Sequence, residues 1–465
     1  MKTLLKLFPI LISVVLFSCN QTTPENTEVQ GSGLAVRETT ENNQIKHLEW
    51  TKNANIYEVN IRQYTKEGTF NAFEKHLERL KNMGVDILWI MPINPIGKTN
   101  HKGSLGSYYS ISNYTEVNPE FGSLDDFNAL VDKAHNLGMH IIIDWVANHT
   151  SWDNIWTKQH PNWYEKDSLG NFISPYDWTD VISLDYENKE VWKGMQDAML
   201  YWLENTNIDG FRCDVADLVP LEFWNETRAI LDTKRPVFML AEAETPALQE
   251  KAFDMTYAWE LHHIMNEIAK QKKDATSLID YLIKQDTTFE SSDYRMIFTT
   301  NHDENSWNGT TTERLGQAKN TFAALTYFLP GMPLIYSGQE AGLNKRLKFF
   351  DKDEIDWTNL KEAELYTKLN SIKHNNSALW NGNYGGNYSI IENSTPKKVF
   401  SISRSDGHNT VYFIANLSPD SVTTTISFKN LEGEYINAIS GKKVELSDKM
   451  ELSLEAWAYW VVLRR

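Results

Sequence analysis

The chain has 465 residues, of which 41% are hydrophobic and 23% are charged, so its composition is typical of a globular protein with a substantial core. At about 150 residues per domain, this length predicts two or three domains. The formal net charge of −17 would repel phosphate backbones and anionic lipid headgroups, which argues against nucleic acid or a bare membrane surface as the partner and favours a neutral substrate.

Residues 1–18 predict an export signal. Lys2 and Lys6 form a basic start, and an apolar run over 7–17, too short to span a membrane, leads to a small-residue processing site before Cys19. The pattern resembles a bacterial lipobox, which implies acylation of Cys19 and an exported protein that meets the membrane only through this anchor. A plain secretory signal with an incidental cysteine is the alternative. The polar residues 19–47 predict a flexible tether.

Short apolar runs alternate with amphipathic stretches over residues 48–376. The eight runs that predict strands are 56–61, 85–90, 139–146, 208–215, 237–243, 253–259, 294–301 and 333–339. A helix is predicted over 70–83, between the first two strands. Strands separated by helices pair in parallel, so the α/β pattern favours a closed (β/α)₈ TIM barrel, with an open doubly wound sheet as the alternative.

Two other patterns flank or interrupt this alternation. Long segments follow the second and third predicted strands, at 94–120 and 151–187. The longer segment predicts a small domain inserted over about 150–187. Beyond residue 376, apolar residues alternate with period two in short runs separated by turn residues. This pattern predicts a C-terminal antiparallel β-sandwich over 377–465.

Polar side chains cluster where four of the predicted strands end, which is where barrel enzymes keep their catalytic groups. The strings are DWVANHT at 144–150, GFRCDVA at 210–216, AEAE at 241–244 and TNHDE at 300–304. A lone Asp or His at a strand end is usually a cap or a surface residue. The prediction of a catalytic site therefore rests on the order and placement of all four strings together.

In this order the four strings resemble the α-amylase superfamily of retaining glycoside hydrolases, glycoside hydrolase family 13, over about residues 50–374. The strings GSYYS at 106–110 and NPEFG at 118–122 are similar to that family's loop after the second strand. The resemblance implies an α-linked glucan or maltooligosaccharide substrate whose α-glucosidic bonds are cleaved by double displacement.

Glycoside cleavage needs one carboxylate on each side of the bond. The resemblance implies that Asp214 is the nucleophile, that Glu242 is the acid/base and that Asp303 grips hydroxyls of the sugar at the cleavage point. Arg212 lies two residues before Asp214, so we expect its guanidinium to face the same way and to hold Asp214 ionised. Glu244 faces the same side as Glu242 and is the alternative acid/base. Glu242 is preferred because the family's glutamate directly follows a small residue that closes the strand.

The resemblance also assigns substrate-binding roles. His149 and His302 would donate hydrogen bonds to sugar hydroxyls, and Tyr109 would stack on the ring at the cleavage point. Asp144 would brace the barrel mouth from below. Four tryptophans of the inserted segment would serve equally well as outer sugar contacts or as a local core: Trp152, Trp156, Trp163 and Trp178.

One departure from the family concerns metal binding. Many members carry a Lys-His pair shortly after the nucleophile, where this chain has Asp217 and Leu218, and the usual calcium ligand from that histidine's backbone is therefore in doubt. Asn148 remains a candidate ligand, but calcium needs six to eight oxygens and the sequence does not place the others. No cofactor is expected to be required.

Two alternative functions remain at this stage. A transglycosylase, or an isomerase that interconverts maltose and trehalose, would carry the same three carboxylates. A non-catalytic sugar-binding barrel is the alternative of another class, and the presence of all three acids weighs against it.

Overall fold

The computed structural model describes residues 45–429, 431 and 433–464. The predicted export signal and Cys19, and most of the predicted tether, lie outside the described residues. The described residues all belong to one compact unit. Among them, no helix is both long and apolar enough to cross a membrane.

Ten strands precede the C-terminal region. They are β1 Ile56–Val59, β2 Ile87–Ile90, β3 His140–Trp145, β4 His149–Ser151, β5 Val181–Ser183, β6 Gly210–Cys213, β7 Phe238–Ala241, β8 Met255–Tyr257, β9 Tyr294–Ile297 and β10 Met332–Tyr336. Eight of them close into a parallel barrel in the order β1-β10-β9-β8-β7-β6-β3-β2, which confirms the predicted TIM barrel. β4 and β5 form a separate antiparallel pair in the segment after β3.

Thirteen α-helices are described. They are α1 Ile61–Tyr64, α2 Phe70–Glu74, α3 Leu77–Met83, α4 Leu124–Asn136, α5 Ile155–Gln159, α6 Lys189–Asn205, α7 Leu221–Asp232, α8 Ala247–Lys251, α9 Trp259–Ala269, α10 Thr276–Thr288, α11 Thr311–Leu315, α12 Lys319–Phe328 and α13 Ala363–Asn375. Short 3₁₀ helices span Glu49–Thr51, Pro161–Trp163, Ala216–Leu218, Gly316–Ala318, Gln339–Ala341, Ser377–Leu379 and Gly382–Tyr384, and a π-helix spans Glu304–Asn308.

The helix predicted over 70–83 is two helices, because the chain turns at Lys75 and His76. The backbone N–H of His76 donates to Phe73 at 2.8 Å, an i to i−3 bond that ends α2 and lets α3 start in a new direction. The apolar residues of this run lie in helices, as predicted. A single i to i−3 bond does not change their spacing, so the spacing does not indicate the break.

Two apolar layers hold the barrel together. Ile56, Ile142 and Leu240 belong to the inner cluster, whereas Phe211 and Cys213 belong to the outer cluster beneath the helices. Because strands of a parallel sheet are buried on both faces, they read as continuous apolar runs in the sequence. Cys213 points outward, as its place between Arg212 and Asp214 predicts.

The start of β6 requires a glycine. A Cβ atom at Gly210 would lie 1.8 Å from the carbonyl oxygen of Phe238 on β7, so no other residue lets these strands approach this closely. β6 and β7 pair from Gly210 to Cys213, so the polar residues that follow the two strands lie side by side.

The C-terminal region is antiparallel. Its strands are β11 Asn387–Ile390, β12 Glu392–Asn393, β13 Val399–Ser405, β14 Thr410–Asn416, β15 Val422–Ser427, β16 Tyr435–Asn437, β17 Lys443–Val444, β18 Lys449–Leu454 and β19 Tyr459–Arg464. They form a sheet in the order β11-β13-β14-β19-β16-β17 and a second in the order β12-β15-β18, as the period-two pattern predicts. Phe413 stacks on Phe328 of α12 at 4.8 Å and joins this region to the barrel.

Candidate active site

The residues predicted to be catalytic meet at the carboxyl ends of the barrel strands. Asp214 directly follows β6, Glu242 directly follows β7, and Asp303 lies in the segment after β9. Asp214 is buried, whereas the side chain of Asp303 is 37% exposed. The site thus combines the buried Asp214, the partly buried Glu242 and the solvent-facing Asp303.

Arg212 connects the acids. Its Nη1 lies 2.8 Å from Asp144 and 3.0 Å from Asp214, and its Nη2 lies 2.9 Å from Glu242. Its Nε donates to the Tyr257 hydroxyl at 3.1 Å, and the guanidinium is fully buried. The expected contact with Asp214 is present, but the same cation also contacts Glu242. Arg212 therefore holds both carboxylates at the two ends of one planar group.

Glu242 receives a second contact from the residue after Asp214. The backbone N–H of Val215 donates to Glu242 Oε2 at 2.8 Å. Val215 adopts φ 37° and ψ 50°, the left-handed region that a β-branched residue rarely enters. Such strained residues cluster at functional sites. The predicted strand over 208–215 ends at Cys213, and the chain reverses here.

Glu244 lies in a different environment. Its carboxylate pairs with Arg295 at 2.6 Å and accepts the backbone N–H of Glu260 in the first turn of α9 at 2.9 Å. These two contacts give Glu244 a structural role, so its position is explained without a catalytic one. These contacts favour Glu242 over Glu244 as the acid/base.

The two central acids resist full ionisation. Burial and the charge of Glu242 raise the pKa of Asp214 well above its ordinary value, against the lowering effect of Arg212. Burial also raises the pKa of Glu242, and Arg212 again opposes the shift. Arg212 lowers the pKa of Asp214, the direction expected from their spacing, but burial and the neighbouring carboxylates act against it. Two buried acids around one cation favour retention of a proton by the pair.

His302 is held by an acid that sequence reasoning missed. Its Nδ1 lies 2.6 Å from Glu58 Oε1, and its Nε2 lies 2.8 Å from the Tyr109 hydroxyl and 3.3 Å from Asp303 Oδ2. Burial lowers the pKa of His302, but the charges of Asp303 and Glu58 raise it to about 9. His302 is therefore a cation at neutral pH and donates from both ring nitrogens.

Tyr109 and Asp144 complete the floor of the site. The Tyr109 hydroxyl donates to Asp144 at 3.0 Å, and its ring stacks on His302 with centroids 5.4 Å apart. Asp144 also accepts from Trp89 Nε1 at 3.1 Å. The fully buried Asp144 thus braces the site from below, as predicted. Trp89 and Tyr257 are two further contacts that sequence reasoning missed, because they lie within apolar runs.

His149 lies on β4, in the segment after β3, and its ring contacts the backbone of Tyr109. Burial lowers the pKa of His149 to about 4, so the ring is neutral, unlike that of His302. Its ring lies 5.5 Å from that of Trp178 in an edge-on arrangement. The four tryptophans of the inserted segment divide: Trp156 and Trp163 are buried in the core, whereas Trp152 and Trp178 are partly exposed.

Asn148, the candidate calcium ligand, contacts neighbouring parts of the chain. Its amide nitrogen lies 3.2 Å from His149 Nδ1, and its carbonyl accepts the backbone N–H of Leu184 at 3.2 Å. Within the described part of the chain, a group of three ionisable ligand atoms within 4.8 Å of one another occurs at the amino ends of β3 and β6, formed by His135, His140 and Asp209. There Asp209 already accepts hydrogen bonds from both histidines.

Comparison with known proteins supplies the family. The family model for the α-amylase catalytic domain matches residues 36–173 and 159–384. An α-amylase from Haloarcula japonica is 25% identical over 353 residues, which cover 71% of this chain and 50% of the relative. An α-1,4-glucan:maltose-1-phosphate maltosyltransferase from Picrophilus torridus is 28% identical over 395 residues, which cover 75% of this chain and 59% of the relative. This chain thus spans about half the length of these two relatives.

A solved structure agrees over nearly the whole described chain. The maltogenic α-amylase AmyB from Thermotoga neapolitana, described as noncanonic, superposes with a TM-score of 0.82 and 30% sequence identity, covering 89% of this chain and 99% of that protein. The family model, the closed barrel and the polar residues at the strand ends all agree. This chain therefore belongs to the α-amylase family of glycosidase-type enzymes.

Proposed function

We propose that the protein cleaves α-glucosidic bonds of α-glucans or maltooligosaccharides with retention of configuration. Asp214 acts as the nucleophile and Glu242 as the acid/base. The observation that carries the proposal is the contact of both carboxylates with the one buried guanidinium of Arg212, at 3.0 and 2.9 Å. This contact supports a close pair of acids, which a covalent glycosyl intermediate requires.

Each step of the reaction uses a group described above. Protonated Glu242 donates its proton to the glycosidic oxygen while Asp214 attacks the anomeric carbon, and the leaving sugar departs with that proton. Glu242, now ionised, takes a proton from water, whose oxygen displaces Asp214 and regenerates both acids. In this proposal, Asp303, His302 and His149 bind hydroxyls of the reacting sugar, and Tyr109 contacts its ring.

Transfer to a sugar is the second candidate. In that reaction, a sugar hydroxyl replaces water in the second step, and no other catalytic group needs to change. The similarity to the Picrophilus maltosyltransferase favours keeping this candidate. A maltose and trehalose isomerase would use the same chemistry with the released glucose as acceptor. A non-catalytic sugar-binding barrel is disfavoured, because binding alone gives no reason to bury two acids beside one arginine.

Product analysis tests the proposal. The purified protein is incubated with a panel of α-linked glucans and maltooligosaccharides, and the products are separated by chromatography. Shorter sugars alone indicate hydrolysis, whereas longer or rearranged sugars indicate transfer. The anomer formed first, followed by NMR, should be α. A β product formed first would refute retention and the role of Asp214.

We also propose that the protein is exported and anchored by a lipid on Cys19. The support is the sequence pattern of a basic start, a short apolar run and a cysteine, followed by a polar tether. This location would give the enzyme access to glucans outside the cytoplasm.

A further inference from the structure

Aromatic rings lead from the candidate catalytic centre towards solvent. The rings of Tyr109 and Phe349 are stacked, with centroids 6.2 Å apart and planes 18° apart. Phe349 in turn contacts Trp307 at 5.2 Å. Trp307 is 52% exposed, although Trp is a residue that usually buries most of its surface. We call Phe349 and Trp307 the aromatic platform.

The platform is rigid because two segments are bonded to each other. Trp307 lies in the π-helix Glu304–Asn308, which directly follows Asp303, and π-helical turns are frequent at functional sites. The buried Asn305 of this helix donates to the Lys345 carbonyl at 3.1 Å and accepts from the Leu347 N–H at 2.8 Å. The segment that carries Phe349 is therefore held to the helix that carries Trp307.

The start of the π-helix is also anchored to the barrel. Glu304 lies 3.2 Å from His262 Nε2 and 3.7 Å from Arg314, and it accepts a hydrogen bond from Asn308 at 2.9 Å. Burial raises the pKa of Glu304, but the hydrogen bond from His262 and the charge of Arg314 lower it to about 2, so Glu304 stays ionised. An exposed ring on so fixed a backbone loses little conformational freedom when a ligand binds.

The platform offers apolar ring faces to a ligand. Of the basic side chains nearby, Lys345 and Arg346 pair with Asp353 and Glu313, and Lys348, next to Phe349, is exposed. A single exposed tryptophan needs no explanation by itself, but this one ends a row of ring contacts that begins at Tyr109 in the candidate site. A sugar ring presents apolar C–H groups on its faces, which match the flat face of an indole.

We propose that the aromatic platform binds a sugar unit of the glucan beyond the unit at the cleavage point, and that it thereby sets the chain length the enzyme prefers. The inference rests on the proposed function and deepens it. Trp307 is the specificity-determining residue of this subsite, because it is the exposed end of this row of rings.

The test compares Trp307→Ala with the matched control Tyr384→Ala. Tyr384 is also a partly exposed aromatic residue, 37% exposed, but it lies beside Tyr294 at the start of β9, at the other end of the barrel. Catalytic efficiency is measured for maltooligosaccharides of increasing length. Trp307→Ala should lose about three- to tenfold on substrates long enough to reach the platform, the size expected for one ring contact. The shortest substrates and Tyr384→Ala should be unaffected, and Trp307→Phe should recover part of the loss.

A binding measurement gives an independent readout. In an Asp214→Asn background, calorimetry with a long maltooligosaccharide should show about three- to tenfold weaker binding when Trp307 is also replaced by alanine. An equal effect on all chain lengths, or no effect, would overturn the inference while leaving the proposed function intact. If the unaltered protein acts on no α-glucan, the proposed function is wrong, and the proposed subsite is then wrong too.

Discussion

Glu242 and Glu244 follow the same strand two residues apart, and replacing each by glutamine should affect different properties of the protein. Glu242 contacts Arg212 and the Val215 N–H within the site, whereas Glu244 contacts Arg295 and the first turn of α9. We therefore expect Glu242→Gln to lose activity and keep stability, and Glu244→Gln to keep activity and lose stability.

The size of each effect follows from these contacts. Removing a general acid costs about 10²- to 10⁴-fold in rate for substrates with poor leaving groups. The fold should not suffer, because burial already raises the pKa of Glu242 and makes its charged form costly. Glutamine at 244 would break an ion pair with a buried arginine, which should lower the free energy of unfolding by about 1–3 kcal/mol.

The assay measures both properties for both variants. Hydrolysis of maltooligosaccharides is compared with that of aryl glycosides that carry very acidic leaving groups, which need little protonation and should remain substrates of Glu242→Gln. Thermal unfolding is followed in parallel, and Glu244→Gln should melt a few degrees lower. An inactive Glu244→Gln beside an active Glu242→Gln would reverse the assignment. Loss of both properties in both variants would refute the separation of roles.

Four further predictions concern the mechanism, pH, metal and location. Asp214→Asn should lower the rate by orders of magnitude while sugar binding and fold persist, and a fluorinated glycosyl probe that labels a peptide without Asp214 would contradict the nucleophile. The charge of His302, with a pKa of about 9 against 6.5 for an ordinary histidine, should contribute at most about 3 kcal/mol to stability below about pH 6.5 and lose this contribution as the pH rises through 9. The melting temperature should therefore fall less steeply over that range in His302→Gln, and equal slopes would refute the assignment. Chelation with EDTA should leave activity and melting temperature unchanged, because the sequence offers only Asn148 as a candidate calcium ligand, and a loss restored by added calcium would show otherwise. Cys19→Ser should release a soluble, fully active enzyme, and mass spectrometry showing an unmodified Cys19 in the native protein would end the anchor hypothesis.

The barrel could be predicted because its strands are buried on both faces and therefore read as apolar runs that end in polar residues. Arg212 and Asp214 also illustrate what spacing can tell, since alternate residues of a strand face the same way. The spacing gave no indication that Arg212 would reach Glu242 on the neighbouring strand. That contact depends on the pairing of β6 with β7 in the closed barrel.

Other parts of the site depend on distant segments. Glu58 is a single acid within the first apolar run, and only closure of the barrel brings β1 near His302, more than two hundred residues away. Trp307 and Phe349 are 42 residues apart and meet because Asn305 bonds the two segments together. No local pattern marks either pair, because both are products of the closed ring and its loops.

The left-handed backbone of Val215 has a consequence for protein engineering. A non-glycine residue in this conformation costs about 1–3 kcal/mol, so selection for stability alone would replace it with glycine or asparagine. The same strain directs the Val215 N–H at the carboxylate of Glu242, 2.8 Å away. A library screened only for heat resistance would therefore enrich substitutions here that relax the backbone and weaken the positioning of Glu242. Thermostable variants of this enzyme are better sought outside this turn, with position 215 held constant.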